Sequence, residues 1–258
     1  MQKAILITGC SSGIGLAAAH YLRNRGYRVL AACRKPLDLE NLRAQGFETL
    51  ELDLDDRHSV QRAASKVIEL TGNRLYALFN NAGFGIYGPL YTVSREQFEQ
   101  QFSTNLFGTH QLTQLLLPAM LAHAEGRIIQ TSSILGRVTT PNRGIYAASK
   151  FALEAWSDTL RMELNGTGIH VSLIEPGPLH SNFTRNLHHT QSDKPILNPE
   201  RAEKFTLGPD AVLPKLRHAL ESPRPKLRYP VTLIAHGLTV LRRLLPDRLM
   251  DRVLRGNS

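Results

Sequence analysis

Short apolar segments alternate with longer, helix-length segments along most of this 258-residue chain. Strands separated by helical segments are typical of βαβ units, in which right-handed crossovers join parallel strands. The candidate strands are Lys3–Thr8, Arg28–Cys33, Glu48–Leu52, Leu75–Asn80, Gly126–Thr131, Ile169–Glu175 and, with a weaker pattern, Leu227–Val231. The helix-length stretches include Ile14–Arg25, Ser59–Leu70, Arg95–His123 and Tyr146–Leu164. The alternation predicts an α/β fold with a seven-stranded, mostly parallel sheet and helices on both faces.

The composition is that of one globular domain. With 42% hydrophobic and 21% charged residues the chain can bury a sizeable core, and its length suits a single domain over residues 1–258. Met1-Gln2-Lys3 leads directly into an apolar strand, without the long hydrophobic region of a secretory signal. Cys10 and Cys33 are too few for a disulfide framework and have no further ligands at metal-binding spacing. We therefore expect a cytoplasmic protein without a metal site.

Positive charge is concentrated near the C-terminus. The formal net charge is +9, and residues 222–258 contribute eight Lys and Arg against Asp247 and Asp251. Residues 231–258 form a basic, amphipathic extension whose apolar run is shorter than the ~20 residues of a membrane span. A solvated surface, contact with an anionic membrane or an acidic carrier, closure of a substrate pocket and an oligomer contact all remain open for it. No nucleic-acid-binding motif accompanies these charges, so we expect no nucleic-acid partner.

Residues 176–208 interrupt the alternation. This segment is rich in Pro, Asn, His and Ser, and it follows the C-terminal end of a predicted strand. Open α/β sheets bind ligands at that edge, and a long irregular loop in a compact domain is usually functional or else disordered. We interpret 176–208 as a substrate lid. Its His180, His188 and His189 lack the carboxylate spacing of a metal site, so contact with solvent or substrate is the expected role.

A glycine-rich loop joins the first predicted strand to the first predicted helix. Its glycines allow a sharp turn and a close approach of the backbone to a ligand. The helix that follows offers unpaired N–H groups and the positive end of its dipole, which suit a pyrophosphate. The strand before the loop and the helix after it favour a dinucleotide site over a simple tight turn. The candidate residues are Gly9, Ser11, Ser12, Gly13, Ile14 and Gly15.

Tyr146 and Lys150 lie four positions apart in a segment predicted to be helical, so they share one helix face. A free phenol titrates near ~10 and is a poor acid–base group at neutral pH. A neighbouring ammonium favours the phenolate and lowers the phenol pKa by one unit for each ~1.4 kcal/mol of interaction. The spacing also occurs by chance, so the pair indicates proton transfer only together with other motifs.

Further motifs follow in order along the chain. The glycine loop has the form TGxxxGxG, and Asn80–Gly83 (NNAG) follows the fourth predicted strand. Asn105, Ser133, Tyr146 and Lys150 come next, and then Pro176-Gly177. In this combination the chain resembles the short-chain dehydrogenase/reductase family over about residues 3–235. It is most similar to the branch that contains 17β-hydroxysteroid and retinol dehydrogenases and bacterial aldehyde reductases. The resemblance implies a single-domain, doubly wound Rossmann fold.

The resemblance also implies a role for each motif residue. Tyr146 would be the general acid in carbonyl reduction and the base in alcohol oxidation, with Lys150 lowering its pKa and holding the nicotinamide ribose. Ser133, rather than Ser132, would polarise the substrate carbonyl, and Asn105 would anchor a water that links Lys150 to solvent. Other cofactor contacts would be Asn80, Ala82, Gly83, Pro176, Gly177 and Ser181. The family further implies a homodimer or homotetramer built on the long helices.

The end of the second predicted strand distinguishes NAD from NADP. A carboxylate there would bind the ribose 2′-hydroxyl and repel a 2′-phosphate, but the chain has Arg34 and Lys35, with no carboxylate before Asp38. A hydrogen bond from one of these cations to a 2′-phosphate would contribute about 1.5–3 kcal/mol to the free energy of cofactor binding. We therefore predict NADP(H); the alternative is that both cations are solvated surface residues. Asp53, after the third predicted strand, matches a family position that contacts adenine, although an acidic turn residue is another interpretation.

Apolar side chains near the predicted site favour a hydrophobic small-molecule carbonyl substrate, although packing would explain them as well. They are Phe84, Ile86, Tyr87, Leu179, Phe183, Leu187, Ile196, Leu197 and Phe205. We predict an NADPH-dependent reductase of hydrophobic aldehydes or ketones. A 3-oxoacyl carrier-protein reductase and a steroid or retinoid dehydrogenase are alternatives. A non-catalytic nucleotide-sensing module is disfavoured because Tyr146 and Lys150 are both present.

Overall fold

The strands of the computed structural model, which describes residues 2–180, 188–189 and 206–255, form two sheets. The strands are β1 (Ala4–Thr8), β2 (Arg28–Cys33), β3 (Glu48–Glu51), β4 (Leu75–Asn80), β5 (Ile86–Tyr87), β6 (Gly126–Thr131), β7 (Ile169–Glu175), β8 (His188–His189) and β9 (Arg228–Pro230). The main sheet has seven strands in the order β3-β2-β1-β4-β6-β7-β9, and all its neighbouring strands are parallel. The small sheet pairs β5 with β8, also in parallel.

Helices cover both faces of the main sheet. They are α1 (Gly13–Asn24), α2 (Pro36–Ala44), α3 (Arg57–Thr71), α4 (Arg95–Phe102), α5 (Gly108–Leu121), α6 (Gly144–Glu163), α7 (Leu213–Glu221), α8 (Leu233–Leu244) and α9 (Asp247–Arg255). In the part of the chain that the structure describes, 3₁₀ turns span Leu90–Thr92, Ile134–Gly136 and Pro209–Val212, and a π-helical turn spans Ser103–Phe107.

The core has two layers because successive strand residues point to opposite faces of the sheet. Ile5 and Ile7 of β1 pack with α1, α2 and α7, whereas Leu6, between them, packs with α3 and α5. A parallel sheet covered on both faces has strands that are apolar at every position, and β1 and β4 are buried along their whole lengths. The doubly wound fold predicted from the alternation is thus confirmed.

A third apolar cluster brings the C-terminal helices against the helix that carries the Tyr–Lys motif. Tyr146 packs with Ile134 of the 3₁₀ turn, with Ala235 of α8 and with Met250 of α9. The C-terminal extension therefore closes one side of the region around Tyr146. Within residues 2–180, 188–189 and 206–255, no helix has both the length and the apolar character that crossing a membrane requires.

The predicted helical stretch Arg95–His123 is helical from Arg95 to Leu121, but it contains a π turn between α4 and α5. The wider turn at Ser103–Phe107 carries the buried Asn105 side chain, whose hydrogen bonds go to the backbone of Phe84. Side-chain bonds from Asn105 to a distant loop thus accompany the π turn. A π turn of this kind is frequent at functional sites.

The predicted lid at 176–208 lies mostly outside the described residues. Its two ends meet where Leu179 bridges Leu207, with the His180 N–H donating to the Leu207 carbonyl oxygen at 2.8 Å. Its His188–His189 pair forms β8 beside β5. The segment therefore returns to its starting point at the edge of the main sheet.

Gly108 is the residue at which α5 approaches the rest of the domain most closely. A Cβ on Gly108 would overlap the Leu54 carbonyl oxygen, whereas a Cβ on Gly237 in α8 would meet nothing within 4 Å. We expect Gly108→Ala to destabilise the protein by about 1–3 kcal/mol through overpacking. Gly237→Ala, the control at another helical glycine, should stabilise it by up to about 1 kcal/mol through helix propensity. Urea unfolding of both variants checks this, and equal midpoints would contradict the tight contact.

Candidate active site

The site lies at the carboxyl edge of the main sheet, where β1, β4, β6 and β7 end side by side. Adjacent strands β1 and β4 lead away from each other here, because the chain order reverses between them. Such a switch point leaves a crevice outside the strand ends, which is the usual ligand position in an open α/β sheet. The sequence motifs at 8–15, 80–83, 131–133 and 175–177 all follow these four strand ends.

The hydroxyl of Thr8 ties the first motif to the second. Its Oγ1 accepts hydrogen bonds from the N–H groups of Asn81 and Ala82, both at 2.9 Å. The Asn81 side chain donates in return to the Thr8 carbonyl oxygen at 3.0 Å. Asn80, the preceding residue, is buried and donates to Thr113 of α5 at 3.1 Å. The NNAG segment is therefore held by side chains, with Ala82 and Gly83 left to form the floor of the crevice.

The glycine loop fits a dinucleotide phosphate. Gly9 and Gly13 have φ values of 74° and 57°, which only glycine adopts readily. A Cβ on Gly9 would lie 2.9 Å from the Ala82 Cα, and one on Gly15 would overlap the Gly9 carbonyl oxygen. The Ser12 side chain makes no capping bond at the start of α1, so the first-turn N–H groups are available to an anion. Ser11 is exposed at the rim of the same turn, and Ile14 packs against the core.

The two cations predicted to select the cofactor lie at the end of β2. Arg34 and Lys35 are exposed, and Lys35 occupies the N-cap position of α2. The Arg34 guanidinium is 3.9 Å from the Asp53 carboxylate, which also accepts a bond from the Asp55 N–H at 3.1 Å. Arg34 and Asp53 thus bring a cation and an acceptor close together just beyond the ends of β2 and β3.

Asn105 is buried where three elements meet. Its Oδ1 accepts from the Phe84 N–H at 3.1 Å, and its Nδ2 donates to the Phe84 carbonyl at 3.0 Å and to Ser149 Oγ at 3.1 Å. A Cβ on Gly83 would lie 3.2 Å from Asn105 Oδ1 and 3.8 Å from Lys150 Nζ. Asn105 therefore lies near Lys150 and fixes the loop that follows the NNAG motif.

Ser133 and Tyr146 come together across the crevice. Ser133 follows β6 by two residues and caps the 3₁₀ turn Ile134–Gly136, where its Oγ accepts a hydrogen bond from the Leu135 N–H at 3.1 Å. Burial raises the pKa of Tyr146 above its usual value, and the Tyr87 phenol adds to that rise. A hydrogen bond with Ser133 and the charge of Arg143 act in the opposite direction on the pKa of Tyr146. The phenol is therefore protonated at neutral pH in this structure.

A tyrosine and an arginine that the sequence prediction did not single out for this role shape the surroundings of Tyr146. The rings of Tyr87 and Tyr146 meet edge to face, with centroids 5.9 Å apart. The Arg143 guanidinium lies 5.0 Å from the centre of the Tyr87 ring. Arg143 comes directly before α6, so its signal in the sequence was its position three residues before Tyr146. Arg143, rather than Lys150, is the cation that lowers the pKa of Tyr146 here.

Lys150 is buried one turn further along α6. Its Nζ donates to the Thr131 carbonyl oxygen at 2.8 Å and lies 5.7 Å from the centre of the Tyr146 ring. Burial lowers the pKa of Lys150 to about 8, against the opposing influence of Glu154. Since Thr131 ends β6, Lys150 links α6 to the strand that leads to Ser133. The ammonium is thus positioned between the NNAG loop and the phenol.

Pro176 and Gly177 follow β7 and close the crevice on its far side. The Pro176 carbonyl accepts from the Ile134 N–H at 2.9 Å, which joins this turn to the turn after Ser133. A Cβ on Gly177 would overlap the Thr232 hydroxyl, so the backbone approaches α8 closely. Ser181 lies outside the described residues. Thr8 and Ser149 are the supporting residues that motif reasoning missed, and each stands directly beside a predicted one.

Comparisons with known proteins agree with this geometry. The family model for short chain dehydrogenase matches residues 3–192. The Escherichia coli (strain K12) oxidoreductase YbbO is 62% identical, covering 99% of this chain and 95% of that protein. Retinol dehydrogenase 5 of Homo sapiens is 36% identical over 97% of this chain and 87% of its own length. The NADPH-dependent 3-dehydrocapnine reductase of Ornithobacterium rhinotracheale is 34% identical, covering 98% of this chain and 96% of its own length.

Solved structures share the whole fold. A short-chain dehydrogenase from Streptomyces avermitilis superposes with a TM-score of 0.83 at 27% identity, covering 100% of this chain and 99% of its own. A short chain dehydrogenase from Burkholderia cenocepacia J2315, solved in complex with NADP, gives a TM-score of 0.79 at 25% identity and covers both chains completely. The fold, the matched family model and the relatives together establish that this chain is an oxidoreductase of the short-chain dehydrogenase family.

Proposed function

We propose that the protein is an NADPH-dependent reductase that converts the carbonyl of a hydrophobic aldehyde or ketone into an alcohol, reversibly. The observation that carries this proposal is the convergence of Ser133, Tyr146 and Lys150 at the mouth of the crevice, with Tyr146 bonded to Ser133 and Lys150 one turn below. A hydride-transfer site needs a proton donor and a polarising group on one carbonyl oxygen, and these side chains supply both.

Each side chain has a distinct task in the proposed reaction. When bound, NADPH supplies the hydride to the carbonyl carbon. Ser133 donates a hydrogen bond to the carbonyl oxygen and orients it toward Tyr146. Tyr146 gives its hydroxyl proton to that oxygen, and the charge of the nearby Arg143 favours the phenolate that remains. Lys150 returns a proton toward Tyr146 from a water held beside Asn105.

The choice of NADP(H) is supported by Arg34 and Lys35 and by the comparisons. Both cations stand at the end of β2, where a 2′-phosphate would lie when the pyrophosphate is on the glycine loop. The Burkholderia relative binds NADP in its crystal, and the reductase from Ornithobacterium is named for NADPH. The cofactor would rest on Gly9 to Gly15, Asp53, Ala82 and Gly83, with Pro176, Gly177 and Ser181 beside the nicotinamide.

The proposed substrate is hydrophobic because the space in front of Tyr146 is bordered by apolar groups. Tyr146 belongs to one apolar cluster with Tyr87, Ile134 and Leu135, to which α8 and α9 add Ala235 and Met250. Segment 176–208 would act as a lid over these apolar residues, and the C-terminal extension from residue 231 would close the pocket beside it. A steroid or retinoid alcohol is the second candidate, because retinol dehydrogenase 5 aligns along 97% of this chain.

We also propose two surface contacts. Phe107, Phe151 and Met162 are exposed around α5 and α6, and they suit an oligomer contact between copies of the chain. On α8, Leu233, Val240 and Leu244 are 83%, 54% and 73% exposed and fall on one helix face. Arginines on α8 and α9 adjoin that face, which suits peripheral contact with an anionic membrane on its cytoplasmic side.

Replacement of Tyr146 tests the chemistry. Tyr146→Phe should lower turnover by about 10²–10⁴-fold because the proton donor is lost. Binding of NADPH, followed by its fluorescence, should be retained. Tyr91→Phe, at an exposed phenol, is the matched control and should match the wild type. The assay is NADPH oxidation with a panel of long-chain aldehydes, aromatic ketones, retinal, steroids and a 3-oxoacyl thioester. Near-wild-type turnover of the variant would rule out this acid, and a preference for the thioester would identify a carrier-protein reductase.

Replacement of Arg34 tests the cofactor. Arg34→Asp should raise the KM for NADPH by about 10–100-fold, because one charged contact to the 2′-phosphate is worth one to two decades. The KM for NADH should fall or stay constant. Arg95→Asp, which changes an exposed cation on α4, is the control for a change of net charge. An unchanged preference for NADPH in the Arg34 variant would contradict the assignment.

Co-sedimentation with lipid vesicles tests the proposed membrane contact. The wild type should pellet with vesicles that contain phosphatidylglycerol and remain in solution with pure phosphatidylcholine, because the arginines need an anionic surface. Leu244→Gln should weaken pelleting, whereas Leu121→Gln, an exposed leucine on α5, should not. Identical pelleting of both variants would place the contact elsewhere. Light scattering without vesicles separates this result from self-association.

A further inference from the structure

A buried cluster of charges lies behind the proposed site, and the reaction described above does not use it. Glu175 ends β7 and is fully buried, and Glu154 on α6 is almost as deeply buried. Arg228 of β9 reaches both carboxylates, with its Nε 2.9 Å from Glu154 and 3.4 Å from Glu175. The other end of the Arg228 guanidinium pairs with Asp158 at 2.6 Å. The glutamates are therefore held together by one arginine.

The two carboxyl groups have fewer donors than two carboxylates need. Among the described residues, neither oxygen of Glu175 nor the Oε1 of Glu154 receives a hydrogen bond from a nitrogen or hydroxyl group. Arg137 is a second arginine near both carboxylates, 3.9 Å from each. Two buried charges of like sign with so few donors are costly, and a shared proton removes the cost.

Burial, followed by the charge of Glu154, raises the pKa of Glu175 to about 7. Glu175 is then mostly protonated below about pH 7, and its carboxyl is the one that would donate to the Glu154 carboxylate. Dyads of this kind titrate as a unit rather than as separate groups. The lack of hydrogen-bond donors around the pair and the raised pKa of Glu175 both favour one proton between the two carboxyl groups.

The pair adjoins the proposed active site through two routes. Glu154 lies one helical turn after Lys150, so both side chains occupy the same face of α6. A Cβ on Gly136 would lie 3.0 Å from the Glu154 Cγ and 3.2 Å from the Lys150 carbonyl, so the 3₁₀ turn packs on both residues. Glu175 directly precedes Pro176, whose carbonyl is bonded to Ile134. The cluster thus supports the two turns that border the crevice.

We propose that Glu175 and Glu154 share one proton as a carboxyl–carboxylate pair clamped by Arg228, and that the charge kept on Glu154 holds Lys150 protonated for the reaction. Glu154 is in this view a positioning residue that acts through Lys150. The inference rests on the proposed function, because it takes Lys150 as part of the hydride-transfer site. It adds a reason why a lysine so deeply buried keeps its charge: a carboxylate one turn away opposes the effect of burial.

The pH dependence of stability tests the shared proton without any activity. A carboxyl whose pKa is higher in the folded state stabilises the fold below its unfolded value of 4.5, and this stability is lost as the pH rises through 7. Glutamine mimics a protonated glutamate. Glu175→Gln should therefore match the wild type near pH 5 and melt at a higher temperature than the wild type at pH 8. Glu163→Gln, at an exposed carboxylate on the same helix, should follow the wild type throughout. A Glu175→Gln variant that melts below the wild type, by a gap that widens toward pH 8, would mean an ionised Glu175 paired with Arg228 and would overturn the proposal.

The pH profile of reduction tests the link to Lys150. Glu175→Gln keeps the charge on Glu154, so the alkaline limb of kcat/KM should stay in place. Glu154→Gln transfers the remaining charge to Glu175, further from Lys150, and should move that limb down by about one pH unit. A limb that does not move in Glu154→Gln would overturn the link.

Melting curves above pH 8 give the same test in the absence of turnover. The lowered pKa of Lys150 means that stability rises with pH from about 8 toward 10.5. Lys150→Met should abolish this rise, and Glu154→Gln should make it begin at lower pH. If no carbonyl in the panel is reduced, the proposed function fails, but the melting curves still test whether Glu154 acts on Lys150. A rise in stability that begins at the same pH in Glu154→Gln as in the wild type would show that Glu154 does not act on Lys150.

Discussion

A parallel sheet places the carboxyl ends of all its strands at one edge, and this constraint determines where everything else in the molecule lies. The four central strands β1, β4, β6 and β7 deliver the glycine loop, the NNAG turn, Ser133 and Pro176 to a single crevice. Hydrogen bonds then lock these turns to one another. Thr8 holds the NNAG turn, and the Pro176 carbonyl holds the turn after Ser133. The motifs are far apart in the sequence, and the parallel sheet together with these hydrogen bonds brings them close in space.

Burial sets the acid–base character of the site. Tyr146 and Lys150 are both removed from water, and burial moves their pKa values in opposite directions, up for the phenol and down to about 8 for the ammonium. Each shift disfavours the charged form, as expected for a low-dielectric environment. Their difference in pKa would be too large for easy proton exchange if burial acted alone. Ser133 and Arg143 oppose the rise in the pKa of Tyr146 without cancelling it.

Much of this arrangement could be predicted from the sequence because it follows from local patterns. Four of the seven main strands have the predicted bounds, since a fully buried strand is apolar from end to end and is flanked by polar turns. The glycine loop and the Tyr146–Lys150 spacing are also local. The π turn at Ser103–Phe107 could not be predicted, because it depends on Asn105 bonding to Phe84, 21 residues earlier in the chain. Arg143 was missed for a related reason: its influence on Tyr146 runs partly through Tyr87, which a different loop supplies.

The C-terminal helices connect the chemistry of the site to its surface. Ala235 and Met250 belong to the same apolar cluster as Tyr146, so α8 and α9 form part of the wall in front of the phenol. The opposite face of α8 presents Leu233 and Leu244 to the outside. A helix with one apolar face on the site and another on the surface transmits a displacement from one to the other, since packed side chains move together.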